Sequence, residues 1–282
     1  MPHPLTWSTT QLRRLKELQA TAQQRKLTFE TESSRNRSFQ AISDALARKE
    51  RARLLEIQKN YRRPRLCRLE SRLVEALCTE GFVQVTTPVI MAKTHLARMR
   101  ITADHPFSSQ VFWIDGKHCL RPMLAPHLYC LLQNLLRLWE KPVRIFEVGP
   151  CFRRESGGAR HAAEFTMLNL VEAGLPTEGR AERIRELAVR VAEAAGLSAY
   201  RLEATHSAVY GDTVDILAGE NRLEVGSSAM GPHALDRSWR ITDAWVGIGF
   251  GLERLIMAAD GSESLARLGR SLSYLGGIRL NI

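Results

Sequence analysis

The segment 149–158, GPCFRRESGG, places two arginines and a glutamate at the point where an apolar strand, VRIFEV, should turn back. Side chains alternate along a strand, so Arg153 and Glu155 project together while Arg154 points away. A guanidinium can neutralise a phosphate oxygen, and a carboxylate can accept a hydrogen bond from an exocyclic amine. The pattern therefore indicates an anion held at a hairpin. The alternative is a hairpin with a cross-strand ion pair, which adds little stability.

The segment 161–165, HAAEF, follows that hairpin and begins at His161. We expect Phe165 to lie on the returning strand, where its ring can stack on a base. Together with Arg153 and Glu155, this aromatic ring has the chemistry of a purine nucleotide pocket.

A second pattern that could bind a nucleotide lies in WVGIGFG at 245–251, the last predicted strand. Period-2 alternation from Val246 to Leu252 puts Val, Ile, Phe and Leu on one face and three glycines, Gly247, Gly249 and Gly251, on the other. Interior glycine weakens a strand and packs nothing, so a bare glycine face indicates that a flat group lies against the sheet. Arg254 begins the next helix, from which it can reach a phosphate. A tightly packed strand–helix junction with an ion-paired arginine remains the alternative.

Composition limits the class of protein. A chain of 282 residues fits one large domain with an appendage, or two modest domains. No apolar run approaches the roughly 18 residues of a membrane span, and the N-terminus lacks the apolar core of a signal peptide. We therefore expect a cytoplasmic protein that does not bind membranes. The five cysteines form no C-x-x-C pair, and the eight histidines show no metal-ligand spacing.

The net charge of +10 is concentrated at the N-terminus. Residues 1–70 carry 16 Lys and Arg against 7 Asp and Glu, whereas the rest carries 24 against 23. A basic segment beside a nearly neutral body predicts a contact with a polyanion such as nucleic acid, or else a helix face that only maintains solubility. We divide the chain into a basic helical segment, residues 1–63, and a second domain, residues 64–282.

Hydrophobic periodicity predicts helices and strands in both parts. A capping box at Ser8 and Gln11 begins a helix that should run to about Gln24, and a second apolar series runs from Phe39 to Ile57. Further helices are predicted over 66–77, from about Pro126, and over 180–196. Short strands lie between these helices: FVQVTTPVI, QVFWI, KHCLRPM, VRIFEV, TMLNLVEAG, TVDIL, RLEVGSSAM and WVGIGFG. This order predicts an α+β fold with an antiparallel sheet flanked by helices.

Taken in order, three segments resemble the signature motifs of the class II aminoacyl-tRNA synthetases. Motif 1 is similar to GFVQVTTPVI at 81–90, motif 2 to FRRE followed by HAAEF, and motif 3 to GIGFGLERL. The resemblance implies the class II fold, ATP and Mg²⁺, an aminoacyl adenylate intermediate, and a homodimer formed through motif 1.

The resemblance also implies individual roles. Arg153 would hold the α-phosphate, Glu155 the adenine amine and Arg254 the γ-phosphate, with the two arginines as the catalytic residues. Phe165 would cover the adenine face. The remaining nucleotide-binding positions by resemblance are His161, Gly249 and Gly251, together with Glu224 and Ser227, which resemble the magnesium-binding positions.

Finer similarity is to the pyrrolysyl-tRNA synthetases, in LRPMLAPHLY, IFEVGPCFRRES, EFTMLNL, VYGDT and WVGIGFGLERL. The chain resembles the short type, which lacks a separate N-terminal tRNA-binding domain. This implies activation of pyrrolysine, or of a bulky N-ε-acyl lysine, and its transfer to tRNA(Pyl). The basic N-terminal helices are candidates for the tRNA contact.

The amino-acid pocket of that family resembles a set of mostly apolar residues in this chain: Ala125, Leu128, Tyr129, Leu132, Asn169, Val171, Tyr210, Ala229, Met230, Trp245 and Gly247. By resemblance, the Asn169 amide recognises the side-chain carbonyl of pyrrolysine and Tyr210 closes over the ring. A cavity of this kind would reject the ammonium of free lysine. His127 and Ala163 depart from the family pattern, where Asn and an acidic residue are found. A synthetase for an ordinary amino acid such as phenylalanine and a non-catalytic RNA-binding protein remain as alternatives.

Overall fold

The computed structural model describes residues 4–154, 162–220, 222–262 and 264–282. The chain divides into two compact units, one formed by Met1–Pro64 with Ser271–Ile282 and the other by Arg65–Arg270. The last segment, which the sequence analysis assigned to the second domain, thus packs with the N-terminal helices. Among the described residues, no helix combines the length and the apolar composition that crossing a bilayer requires.

The helices are α1 (Thr9–Glu17), α2 (Ala22–Arg25), α3 (Glu32–Lys59), α4 (Arg65–Thr79), α5 (Lys93–Arg98), α6 (Ala125–Leu138), α7 (Arg180–Ala195), α8 (Asp236–Trp239) and α9 (Leu252–Asp260). The strands are β1 (Val83–Gln84), β2 (Ile90–Ala92), β3 (His118–Leu120), β4 (Val143–Phe152), β5 (Glu164–Ala173), β6 (Tyr200–Ser207), β7 (Gly211–Ala218), β8 (Leu223–Gly231), β9 (Trp245–Gly251), β10 (Tyr274–Leu275) and β11 (Ile278–Arg279). Short 3-10 helices cover Pro106–Gln110 and Leu265–Arg267.

The N-terminal unit begins with the predicted capping box, in which Ser8 and Gln11 exchange side-chain and backbone hydrogen bonds. The prediction that this helix runs to Gln24 was wrong. Gln19 has a left-handed φ of 62°, which interrupts the helix, and Thr21 caps the separate helix α2. The apolar residues of α3 then pack against a small core around Trp7 and Leu15.

The second unit is built on one seven-stranded sheet with the order β1-β4-β5-β9-β8-β7-β6. All neighbours are antiparallel except β1 and β4, which are parallel. The predicted α+β fold, an antiparallel sheet flanked by helices, is therefore confirmed. Helices α4, α7 and α9 cover one face of the sheet, whereas α6 lies on the other face.

Several of the strand predictions need correction. Segment FVQVTTPVI, predicted as one strand, contributes to two short strands, β1 and β2, which belong to different sheets. Segment 110–114, QVFWI, forms no strand, because the chain is held in the 3-10 turn Pro106–Gln110 and Trp113 makes only an isolated bridge to Cys119. Strand β6 was missed, because it is the last strand in the sheet order and no residue of it is fully buried, so its sequence shows little alternation.

Candidate active site

The glycine face of β9 forms the centre of the candidate site. Residues that pair directly across antiparallel strands project to the same face, so register decides which side chains meet. Gly249 lies between Asn169 of β5 and Ser227 of β8. Gly247 lies between Val171 and Ala229 in the adjacent row. The other face of β9 carries Val246, Ile248 and Phe250, all at most 1% exposed, as the alternation predicts.

The glycines around the site differ in whether the packing of the chain leaves room for a side chain. A Cβ built on Gly226 of β8 would lie 2.6 Å from Phe250 Cδ1 and 2.8 Å from the Gly249 carbonyl, so the fold itself requires glycine there. A Cβ on Gly249 would meet nothing nearer than Met167 Cε, at 3.4 Å, and one on Gly251 nothing nearer than Arg254 Cδ, at 3.7 Å. The packing of the chain therefore does not require these two glycines, which leaves space for a bound group.

This face forms the floor of a cavity of about 540 Å³. Ten of the eleven residues predicted for the amino-acid pocket line it: Ala125, Leu128, Tyr129, Leu132, Asn169, Val171, Tyr210, Ala229, Trp245 and Gly247. Met230, also suggested from sequence, does not. It pairs with Val246 and packs into the helix-covered core, because strand alternation turns it to the opposite face from Ala229.

Arg153 enters the same cavity from the end of β4. Its Nε donates to the carbonyl oxygen of Pro122 at 2.9 Å. Its guanidinium carbon lies 5.2 Å from the ring centre of Phe107 and 5.1 Å from that of Phe165. Both rings line the cavity with Arg153, so the cation is positioned by aromatic faces and one carbonyl.

Arg154 points elsewhere, as alternation predicts. Its guanidinium carbon lies 5.3 Å from the ring centre of Phe112, and its backbone N–H donates to Gln110 O at 2.7 Å. Glu155 and His161, the other predicted nucleotide contacts of this hairpin, lie outside the described residues.

Arg254 lies in the first turn of α9 and contacts Glu224. Its Nη1 donates to the Glu224 carbonyl at 3.2 Å and lies 3.6 Å from Oε1. The residue before Arg254 anchors this turn, because both carboxylate oxygens of buried Glu253 accept from the Thr166 N–H at 3.0 Å. Glu224 lines the cavity, whereas Arg254 is not among the residues that line it and lies beside it in contact with Glu224.

A β-bulge turns Glu224 toward the cavity. In the β7–β8 pair, Ile216 opposes Gly226 but Leu217 opposes Glu224, so Val225 is the extra residue. An extra residue shifts the alternation by one position, which places Glu224 on the same face as Ser227.

Oxygen ligands collect beside this bulge. Asp215 pairs with Ser227, and both line the cavity together with Glu224. Carboxylate and hydroxyl oxygens are the donors that Mg²⁺ accepts when phosphate oxygens complete its coordination. The described residues contain no cluster of three or more His, Cys, Asp or Glu side chains able to hold a metal alone. The donor set therefore fits a metal that arrives with a phosphorylated substrate.

The opposite end of the cavity is aromatic and apolar. The Tyr129 ring stacks on Trp239 with ring centres 5.2 Å apart and meets Trp245 edge-on at 5.6 Å. Burial raises the pKa of the Tyr129 hydroxyl, and the neighbouring Tyr210 and Asp236 side chains raise it further. Trp245 is itself fixed by a 2.9 Å hydrogen bond from Nε1 to Asp236 Oδ2. This end of the cavity is therefore an apolar pocket whose aromatic rings are held by mutual contacts and one hydrogen bond.

Asn169 lies between the two ends. Its Nδ2 donates to the Ile248 carbonyl at 3.1 Å and more weakly to the Leu170 carbonyl at 3.4 Å, which fixes the amide over the sheet and leaves its oxygen to accept from a ligand. A side-chain amide has two donor hydrogens and an acceptor oxygen, so it retains capacity for a ligand amide or carbonyl.

Several cavity residues were missed from sequence. Asp215 and Met167 lie on the correct face by alternation, but this becomes apparent only once the strand pairing is known. Phe107 and His105 come from the loop before β3, and no local pattern marks them.

Comparisons with known proteins identify the family of the chain. The family model for the class II core domain of tRNA synthetases (F) matches residues 52–272. The structure of pyrrolysyl-tRNA synthetase from Desulfitobacterium hafniense is 52% identical, with a TM-score of 0.92, and the match covers 98% of this chain and 99% of that one. The chain belongs to the pyrrolysyl-tRNA synthetase family of class II.

More distant relatives match the chain only in part. The lysine–tRNA ligase of Carboxydothermus hydrogenoformans is 34% identical over 44% of this chain. The lysylphosphatidylglycerol biosynthesis bifunctional protein LysX of Mycobacterium leprae is 35% identical over 49% of it. These matches span only 24% and 11% of those proteins. They agree with class II membership, whereas the pyrrolysyl-tRNA synthetase match extends over nearly the whole chain.

Proposed function

We propose that this protein is an ATP-dependent pyrrolysine–tRNA ligase. It activates pyrrolysine, or a bulky N-ε-acyl lysine, to the aminoacyl adenylate and transfers the acyl group to the 3′ end of tRNA(Pyl). One observation carries the proposal: a single cavity joins a glycine floor flanked by Arg153, Phe165 and Glu224 to an apolar aromatic pocket. A nucleotide and a long uncharged side chain fit its two ends.

The chemistry requires positioning more than proton transfer. The carboxylate of the amino acid attacks the α-phosphorus in line, an oxygen–phosphorus bond forms, and pyrophosphate leaves with the bonding electrons. Arg153 stabilises charge on the α-phosphate and Arg254 on the γ-phosphate, while Phe165 covers the adenine. Mg²⁺, held by Glu224 and Ser227 with the phosphates, would neutralise charge on the triphosphate. Glu155 and His161 are expected to complete the nucleotide contacts.

The apolar end selects the amino acid. The acidic residues that line the cavity, Asp215 and Glu224, lie on the strands that supply its polar end, so a lysine ammonium would be buried without a partner among the apolar side chains. An N-ε-acyl group removes that charge and supplies a carbonyl to the Asn169 amide. Tyr210 at the tip of the β6–β7 hairpin completes the wall around the acyl group.

Two surface features support the proposed macromolecular partners. The N-terminal unit carries exposed basic residues along and after α3, suited to the tRNA backbone: Arg37, Arg48, Lys49, Arg51, Lys59, Arg62 and Arg63. In motif 1, Val83 and Ile90 are 46% and 55% exposed, which favours a homodimer that covers them. A cytoplasmic location fits both partners.

The test is tRNA(Pyl) charging in vitro with pyrrolysine, lysine and phenylalanine in parallel. We expect charging with pyrrolysine and background levels with the other two. Charging with phenylalanine would instead support a synthetase for an ordinary amino acid. For the RNA-binding alternative, the discriminating measurement is thermal stabilisation by ATP–Mg²⁺ with and without an N-ε-acyl lysine, and a melting temperature that ignores both ligands would favour it.

A further inference from the structure

The tip of the β6–β7 hairpin, residues 208–210, forms one wall of the cavity and carries Tyr210. Because the tip extends beyond the paired strands, its backbone polar groups need partners outside the sheet. Ser207 Oγ accepts from the N–H groups of Val209 and Tyr210 at 3.2 and 3.3 Å. These two donors are thus satisfied within the hairpin, whereas the carbonyl groups of the tip bind residues outside it.

Two histidines from separate loops bind those carbonyl groups. His233 Nε2 lies 2.7 Å from Tyr210 O, and His105 Nε2 lies 3.3 Å from Ala208 O. His105 precedes the 3-10 helix Pro106–Gln110, whereas His233 follows β8. A carbonyl oxygen only accepts, so each Nε2 carries the proton and donates it to the hairpin.

The other ring nitrogen is fixed in the same way in both residues. The Phe107 N–H donates to His105 Nδ1 at 3.1 Å, and the Leu235 N–H donates to His233 Nδ1 at 3.1 Å. An accepting Nδ1 is unprotonated, so both rings are in the neutral Nε2–H tautomer. A local turn two residues long therefore holds each ring and aims its N–H at the hairpin tip.

His233 also contacts the Tyr210 ring itself. The two rings meet edge-on with centres 5.8 Å apart, and Tyr210 meets Trp245 in the same manner at 6.5 Å. The tyrosine is therefore positioned both through its backbone and through its ring. Loss of the contact with His233 would let Tyr210 move away from Trp245 at the apolar end of the cavity.

We propose that His105 and His233 are positioning residues that hold the β6–β7 hairpin over the amino-acid end of the cavity. We call their two hydrogen bonds to the tip carbonyl groups the latch. The inference rests on the proposed function, because it assigns the latched tip to the long acyl side chain of the substrate. His233 is the stronger latch, since its hydrogen bond is shorter and partly buried whereas that of His105 is exposed.

Asparagine and glutamine separate the two roles of His233. An Asn side-chain oxygen replaces Nδ1, so His233→Asn keeps the acceptor for the Leu235 N–H and loses the donor to Tyr210 O. A Gln side-chain nitrogen replaces Nε2, so His233→Gln keeps the donor and loses the local acceptor. His118→Asn is the matched control, because that ring is 46% exposed and its hydrogen-bond partner is Asp115, which lies outside the cavity lining.

Adenylate formation is measured by pyrophosphate exchange with an N-ε-acyl lysine. His233→Asn should raise KM for the acyl lysine about fivefold, as expected for one neutral hydrogen bond, and leave KM for ATP unchanged. His233→Gln should restore a near-wild-type KM for the acyl lysine. His105→Asn should show a smaller rise in the same constant.

Amide hydrogen exchange supplies a readout that does not depend on activity. The Val209 and Tyr210 amides should exchange faster in His233→Asn than in the wild type, His233→Gln and His118→Asn. Wild-type KM together with wild-type exchange in His233→Asn overturns the latch. If His233→Asn does not fold, the same two measurements are made on His105→Asn, and wild-type KM together with wild-type exchange in that variant overturns the latch. A wild-type chain that forms no adenylate would sink the proposed function, while the exchange comparison would still decide the latch.

Discussion

Arg121 and Glu147 form a buried ion pair, with 2.7 Å between Arg121 Nη1 and Glu147 Oε1. The side chains are 2% and 1% exposed. Thr87 of motif 1 donates to the same carboxylate through its hydroxyl at 2.6 Å and its N–H at 3.1 Å. The backbone beside Arg121 in turn accepts from the Arg153 side chain, through the Pro122 carbonyl. Motif 1 and motif 2 are thus joined through one charge pair.

Glu147→Ala should lower the free energy of unfolding by about 3–5 kcal/mol, because it leaves the Arg121 cation buried without its partner. The control is Glu182→Ala, which removes the exposed pair with Arg185 at a similar distance, 2.8 Å, and should cost less than about 1 kcal/mol. Urea unfolding measures both. Equal losses in the two variants would contradict the role of burial.

Arg153→Ala should abolish measurable pyrophosphate exchange, a loss of at least about 10²-fold, because the α-phosphate loses its cation. Arg154→Ala is the matched control, since the adjacent arginine lies against Phe112. It should retain near-wild-type exchange. Near-normal exchange in Arg153→Ala would refute its assignment to the α-phosphate.

Gly249→Ala should raise KM for ATP roughly tenfold or more, equivalent to about 1.4 kcal/mol, with unchanged unfolding stability. The chain atom nearest to the added methyl group is Met167 Cε, at 3.4 Å, and Asn169 Oδ1 follows at an ordinary contact distance of 3.9 Å. Gly226→Ala should instead destabilise the fold by about 1–3 kcal/mol, because its Cβ would overlap Phe250 and the Gly249 carbonyl. The glycine floor hypothesis fails if Gly249→Ala binds ATP normally.

Stability should fall as the pH is lowered from about 6.5 to about 4, in part because of His127. Burial lowers the pKa of His127 from 6.5 to about 4, with smaller contributions from His95 and Arg121. Between these values the unfolded chain binds a proton at this ring that the folded chain does not, so acid favours unfolding. The full shift corresponds to about 3 kcal/mol.

The control for this prediction is His127→Asn, which cannot titrate and whose amide N–H can donate to the Thr87 hydroxyl oxygen, now 3.1 Å from Nδ1. Unfolding free energies at pH 7 and pH 4.5 should differ less in this variant than in the wild type. An identical difference in both proteins would assign the acid sensitivity to other groups.

Local sequence patterns were enough to predict one face of the site and one helix boundary in the N-terminal unit. The alternation in WVGIGFG predicted the glycine face, and the capping box at Ser8 predicted the start of α1. These patterns depend on residues close in the chain, so the periods of helix and strand expose them. The predicted helix to Gln24 failed because one left-handed residue, Gln19, broke the pattern.

The resemblance to three ordered motifs identified the family, and composition placed the basic charge at the N-terminus. Only the tertiary structure decided which side chains share the cavity. The bulge at Val225 turns Glu224 inward, Phe107 and His105 arrive from a loop without a sequence signal, and His233 meets the hairpin tip across the sheet. The physical reason is the distance in sequence between the residues that interact. Alternation fixes the face that a side chain takes along its own strand, whereas register, bulges and loop closure depend on residues far apart in the chain.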